Sequence, residues 1–275
     1  MTTYSPIYQS VRREVLNNGL TTLIASPDKK TRTVAAYLAV KTGAADEGKW
    51  LGAGLSHFVE HMFFKGTSER NKGMIEKEVR RIGGDINAYT SHDLTVFHVT
   101  GLASEVDTAI NLLYDAAFHS VLDPEEMNRE REVIVSEMRM NEDRLDRKTL
   151  LTLWNRMYTG HPYENPVIGY ESVFRASTRE DLKAFMDEYY VPNNMVLSVV
   201  GDVDPDHVSD YVKQTFGSAA RKSIEPVYRT QPIAQQSRRF TSVQKPAQHI
   251  RFMIGYPTPP AGHADAPALD VLAEI

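Results

Sequence analysis

The stretch GLSHFVEHMFFKGT, residues 54–67, carries two histidines four apart with a glutamate directly before the second. On a helix, residues four apart lie one turn along and about 40° round, so His57 and His61 can bind one zinc. Glu60 stands on the flank of that face, from which it can reach a metal-bound water without being a ligand. The order H-x-x-E-H is the inverse of the commoner H-E-x-x-H zinc peptidase motif. Leu55, Phe58, Val59, Met62 and Phe63 follow i, i+3, i+4, i+7, i+8, a stripe that faces a core. The pattern predicts a helix over about 52–65, with Gly66 as its C-cap. One side anchors it and the other presents ligands to a cleft.

A catalytic zinc needs three protein ligands and one open position, so a third donor is required on a separate element. The chain has no cysteine, which excludes disulfides and thiolate sites and leaves His, Asp and Glu as the only metal donors. The segment DPEEMNREREVIVSEMRMNED, from Asp123, reads as a helix to about 142, capped by Asp123 with Pro124 at its first position. Glu130 and Glu137 lie two turns apart on nearly the same face, beside an apolar stripe of Met127, Ile134 and Met138. One carboxylate suits a ligand and the other a support behind it. A solvated acidic face is the competing reading, because Glu125, Glu126 and Glu132 share the helix.

The bulk numbers set limits. With 275 residues the chain can bury a real core, and 41% hydrophobic and 24% charged residues are ordinary for a soluble globular protein. A net charge of −5 with no basic block argues against a nucleic-acid partner. No run approaches the 18 apolar residues of a membrane span, and the N-terminus lacks the apolar region of a signal peptide. As it stands, the chain reads as cytoplasmic.

Outward from the motif, VRREVL and LTTLIAS flank the turn NNG as a hairpin. TVAAYLAV reads as a buried strand, too apolar for an exposed edge. A helix over 72–82 stops at Gly83-Gly84, followed by short strands near 86–90 and 94–100. Helices are expected from ASEVDTAINLLYDAAFHS, over 146–158, from STREDLKAFMDEYY with a capping box, and from DPDHVSDYVKQTF. MVLSVVGD is a strand. The first domain spans 1–220 and a polar connection without clear period spans 221–238. Residues 239–275 repeat the opening order of strand, strand, loop and helix. Aligning the two helices puts Val271 and Ile275 where His57 and His61 stand. The end therefore reads as the start of a second copy of the fold, cut inside a helix at Ile275. The alternative is a short arm packed on the first domain.

These segments resemble the pitrilysin, insulinase and mitochondrial processing peptidase family of zinc endopeptidases. GLSHFVEHMFFKGT is similar to the family's signature helix. REREVIVSEM is similar to its third-ligand segment, with Glu137 at 76 positions after His61, the family spacing. GGDINAYTSHDLTVF resembles the segment that supplies an edge strand at the active site, and YYVPNNMVLSVVGDVD a later landmark. The likeness covers essentially the whole chain. It implies an α+β fold, a mixed and mainly antiparallel sheet covered by helices, of the α/β roll type that the family builds in paired copies. By position, His57, His61 and Glu137 match the zinc ligands, one Zn²⁺ per chain, and Glu60 the general base. Glu130 matches a second acidic residue of the catalytic site. Asn87 and Ala88 match the strand against which the substrate backbone lies, with Tyr89 lining the cleft beside it.

The function so implied is zinc-assisted hydrolysis of extended peptides or unfolded segments. A substrate that adds as a strand gains main-chain hydrogen bonds whatever its side chains. Family members close a second half over the site, and that half supplies an arginine and a tyrosine. This chain ends before any such segment, so a second half or a partner subunit, in a homo- or heterodimer, is expected to complete the chamber. Two rival readings are a silent scaffold or core subunit of a processing complex and a zinc hydrolase of small substrates. All four residues His57, Glu60, His61 and Glu137 stand against the first, and the edge-strand segment against the second. His92 and Asp93 read as turn residues between two strands, His98 as structural, and His119 and His161 take no role.

Overall fold

Asn17, Asn18 and Gly19 turn the chain between β1 (Arg12–Val15) and β2 (Thr21–Ala25), the expected hairpin. The Gly19 N–H donates to Leu16 O at 2.8 Å and the Leu20 N–H to Asn18 Oδ1 at 3.2 Å. The fold is known from a computed structural model that describes residues 11–27, 30–260 and 262–274. β3 (Thr33–Val40), β4 (Asp85–Thr90), β5 (Thr95–Leu102) and β6 (Met195–Gly201) complete a six-stranded sheet in the order β1-β2-β6-β3-β5-β4. Only the β2–β6 pair is parallel. The architecture is α+β, as expected. β3 lies between β5 and β6 with Val34, Ala36, Leu38 and Val40 buried on one face. On its other face Tyr37 stacks on His98 with ring centroids 4.6 Å apart, which gives that histidine its structural role.

The covered face packs against α1 (Leu55–Met62), α3 (Val106–His119) and α8 (Pro205–Gln214). Between them in the chain lie α2 (Lys72–Arg81), α4 (Pro124–Asp143), α5 (Leu145–Met157), α6 (Glu171–Ala176) and α7 (Arg179–Tyr189). Asp123 caps α4 by accepting from the N–H groups of Glu125 and Glu126, and Thr178 and Asp181 form the capping box of α7. The whole predicted stripe of α1, with Phe63 just beyond it, is at most 1% exposed. Phe63 stacks on Phe97 of β5 and Phe58 meets Phe174 of α6 edge-on.

Two boundaries differ from expectation. α1 is shorter at both ends than 52–65. Its N-cap, Gly54, has φ 69°, and a Cβ there would lie 2.3 Å from the Ile168 carbonyl oxygen, so only glycine fits. The strands expected between 239 and 256 do not form; among the described residues no regular element lies between Ser218 and Ala266. Ile250 is 93% and Phe252 79% exposed. A strand pair without further strands or a covering helix has little to hold it. The helix expected afterwards is present as α9 (Ala266–Ala273), while the cut at Ile275 lies outside the described residues.

The end of the motif, Lys65-Gly66-Thr67, is tied down by a buried acid on α3. Asp115, 3% exposed, accepts from Thr67 Oγ1 at 2.7 Å and Arg70 Nη1 at 2.8 Å, and lies 3.0 Å from His119 Nδ1. Burial lifts its carboxyl, but Thr67, Arg70 and His119 outweigh burial and hold it below the usual Asp range. Its stabilising contribution is therefore present above that range and lost as pH falls through the depressed value. Asp115→Ala removes the acceptor shared by Thr67 and Arg70, while Arg70 keeps Glu78 and Asn111, and is expected to cost about 1–3 kcal/mol, read as a shifted urea midpoint at pH 7. A shift near zero would contradict the account.

Candidate metal centre

α1 and α4 pack together, and their polar faces meet at one place. From α1, His57 Nε2 and His61 Nε2 face α4, with ring centroids 4.7 Å apart. From α4, Glu137 Oε2 lies 3.8 Å from His57 Nε2 and 3.7 Å from His61 Nε2. Ligand atoms of the three residues lie within 4.8 Å of one another, the only such His and acid group among the described residues. Both N···O separations are too long for a hydrogen bond. Donors 2.0–2.2 Å from one tetrahedral zinc stand about 3.3–3.6 Å apart, so small side-chain rotations suffice to share an ion.

The electrostatics suit a cation. Burial, then the neighbouring His61, pushes His57 down to about 3, which favours the neutral imidazole with a lone pair available to a cation. Its Nδ1 is buried without a hydrogen-bond partner, leaving Nε2 as the nitrogen directed at Glu137. His61 Nδ1 lies 3.1 Å from Glu130 Oε2. A carboxylate can only accept there, which assigns the ring hydrogen to Nδ1 and leaves the Nε2 lone pair free. Glu130, 8% exposed, is in turn held by the Lys65 ammonium on its other oxygen. Burial raises the Glu130 carboxyl, but Lys65 and His61 outweigh it and keep it low.

Glu60 lies beside these residues, and Thr90 Oγ1 of β4 donates to its Oε2 at 2.5 Å. Burial raises the Glu60 carboxyl against the pull of Thr90. β4 is the edge of the sheet. The Ser91 N–H donates to Leu94 O across the turn, which sets the antiparallel ladder so that Asn87 and Tyr89 bond to β5. Ala88 and Thr90 then direct their backbone groups to the open edge. The Ala88 N–H donates to the side chain of Asn87 at 2.8 Å.

Tyr89, expected to line the cleft, faces away from α1. Side chains alternate along β4: Ile86, Ala88 and Thr90 are half-buried, with Thr90 reaching α1, whereas Tyr89 is 51% exposed on the opposite face. His92 stacks on Trp154, and Asp93 accepts from Tyr163 and Arg229, which keeps both in the turn. His119 binds Asp115, and His161 caps the short turn at Pro162–Glu164. No sequence pattern marks Lys65 or Thr90 as part of the site. Lys65 falls one turn after His61, the spacing that lets both meet one acid on α4. Thr90 shares the inward alternation of Ala88.

Residues 23–171 match the family described as insulinase (peptidase family M16), and residues 176–275 the one described as peptidase M16 inactive domain. An uncharacterised zinc protease of Bacillus subtilis is 29% identical over 270 residues, covering 96% of this chain and 63% of the relative. A probable mitochondrial-processing peptidase subunit beta of Arabidopsis thaliana is 31% identical over 235 residues, covering 80% of this chain and 44% of the relative. The crystal structure of a protease from Helicobacter pylori superposes with a TM-score of 0.76 at 28% identity, covering 81% of this chain and 54% of that one. The chain thus spans under two thirds of each. No described helix is long and apolar enough to cross a membrane.

Proposed function

The chain belongs to the insulinase family, peptidase family M16, and from that premise we propose that it is the zinc-binding part of an endopeptidase acting on extended peptide. One observation carries the reading: His57 Nε2, His61 Nε2 and Glu137 Oε2 converge from two helices without bonding one another, with Glu60 alongside. Together with relatives named as zinc proteases, that donor set suits zinc.

When bound, zinc supplies a Lewis acid that polarises the scissile carbonyl and acidifies water. His57, His61 and Glu137 hold it. Glu130 fixes the His61 ring, and Lys65 fixes Glu130. Glu60 accepts the proton of the attacking water and returns it to the leaving amine. Thr90 holds one Glu60 oxygen, which leaves Oε1 for the proton. The substrate backbone lies along the open edge of β4 and takes over the Ala88 N–H from the Asn87 side chain. The contacts are main-chain, so selection is for extended, unfolded segments. In this reading a second roll, in the same protein or a partner subunit, closes over the site.

The test is metal analysis combined with hydrolysis of a quenched-fluorescence peptide by the full-length protein. One zinc per chain is expected, with cleavage lost to a chelator and restored by zinc. Stoichiometric zinc without any cleavage would favour the scaffold reading.

A pH prediction follows from Thr90. Glu60 acts only when deprotonated, so kcat/KM falls on the acid side as pH drops through its pKa. Thr90→Val removes a bond that lowers that pKa, so the acid limb moves to higher pH. A pH–rate profile checks this; an unmoved limb would contradict it.

A further inference from the structure

α1 lacks a cap of its own. Gly54 at its N-cap has no side chain, and the first-turn N–H groups of a helix need acceptors. The acceptor comes from seven residues upstream. Glu47, 1% exposed, takes the Gly54 N–H on Oε2 at 3.0 Å and the Ser56 N–H on Oε1 at 2.9 Å. Ser56 immediately precedes His57. The segment that carries Glu47 is itself fastened to the turn after β4: the Ala44 N–H donates to Ser91 O at 3.1 Å and the Ala45 N–H to His92 O at 2.9 Å. Thr90, the partner of Glu60, is the residue before that turn.

We propose that Glu47 is a positioning residue that joins the start of α1 to the end of β4, setting the direction of His57 and the contact of Glu60 with Thr90. The part that concerns zinc rests on the function proposed above. Glu47 touches neither metal donors nor substrate, and acts through the Gly54 and Ser56 amides at one end and the 44–45 amides at the other. Among the described residues no other side chain accepts from those two amides. Without the Glu47 side chain, both would be buried donors without partners, and the first turn would be free to unwind.

The test compares the parent chain with Glu47→Ala and with a control, Val208→Ala, which opens a cavity under α8 at a distance from α1. The zinc-free proteins are followed by amide hydrogen exchange. Glu47→Ala is expected to speed exchange at least tenfold in both 54–58 and 88–92, and the control in neither. In zinc-loaded proteins, Glu47→Ala is expected to lower zinc affinity about 10–100-fold by chelator competition, the range for residues that orient ligands. It is also expected to alter the visible spectrum of the cobalt-substituted form. Glu47→Gln keeps the volume and one acceptor, and carries the same comparison at intermediate size where the alanine variant does not fold. Unchanged exchange in 88–92, or parent-like zinc affinity and cobalt spectrum alongside a lowered melting temperature, would overturn the proposal and leave Glu47 a plain helix cap. A parent that binds no zinc would overturn the proposed function, while the zinc-free exchange still decides the role of Glu47.

Discussion

Glu60→Gln is expected to retain zinc at one per chain and to lose peptide hydrolysis by about 10²–10⁴-fold, the range for a positioned acid–base group. The substitution keeps the size of the side chain and an oxygen to accept from Thr90 Oγ1. It removes only the capacity to take a proton. Glu60 is not among the three converging donors, so metal affinity has no reason to fall. The retained metal is what makes the result specific: loss of both zinc and activity would mean that Glu60 is a ligand, and unchanged cleavage would mean that another group is the base.

Glu137→Gln is expected to have the opposite signature, losing zinc first and activity as a consequence. It replaces the only anionic donor of the set by a neutral amide. Structural zinc sites gain about 10–16 kcal/mol from four ligands, so one ligand is worth on the order of 3 kcal/mol or more, and affinity should fall by about 10²-fold or more. Glu130→Gln provides the comparison. Its effect passes through the His61 ring, and a fall of about 10–100-fold is expected. Chelator-competition titration measures both. A Glu130 effect larger than that of Glu137 would exchange the roles of the two acids.

Much of this site was legible in the residues. The H-x-x-E-H order on an apolar stripe predicted a helix anchored on one side, and the Glu130–Glu137 spacing pointed to α4, because both patterns depend only on helical periodicity. The NNG hairpin and the apolar run of β3 are equally local. The features that escaped are those made by tertiary contact. Thr90 and Lys65 acquire meaning only when β4 and α4 come alongside α1. Glu47 serves as a cap from outside the helix, where no local capping pattern exists. The side of β4 that Tyr89 occupies depends on the ladder register set by the Ser91–Leu94 bond, and one step along a strand reverses the face. The strands expected over 239–256 have suitable alternation in Ile250, Phe252, Ile254 and Tyr256, but pairing needs a second chain segment that alternation does not supply.

The central claim is that His57, His61 and Glu137 share one ion and leave a place open. Zinc-edge anomalous diffraction from crystals of the zinc-loaded protein tests it most directly. The account predicts a single peak with two imidazole nitrogens at about 2.0–2.1 Å, one Glu137 oxygen at about 2.0–2.2 Å and a solvent molecule in the fourth position. A peak elsewhere, or one at this place with Glu60 in the first coordination sphere, would contradict it.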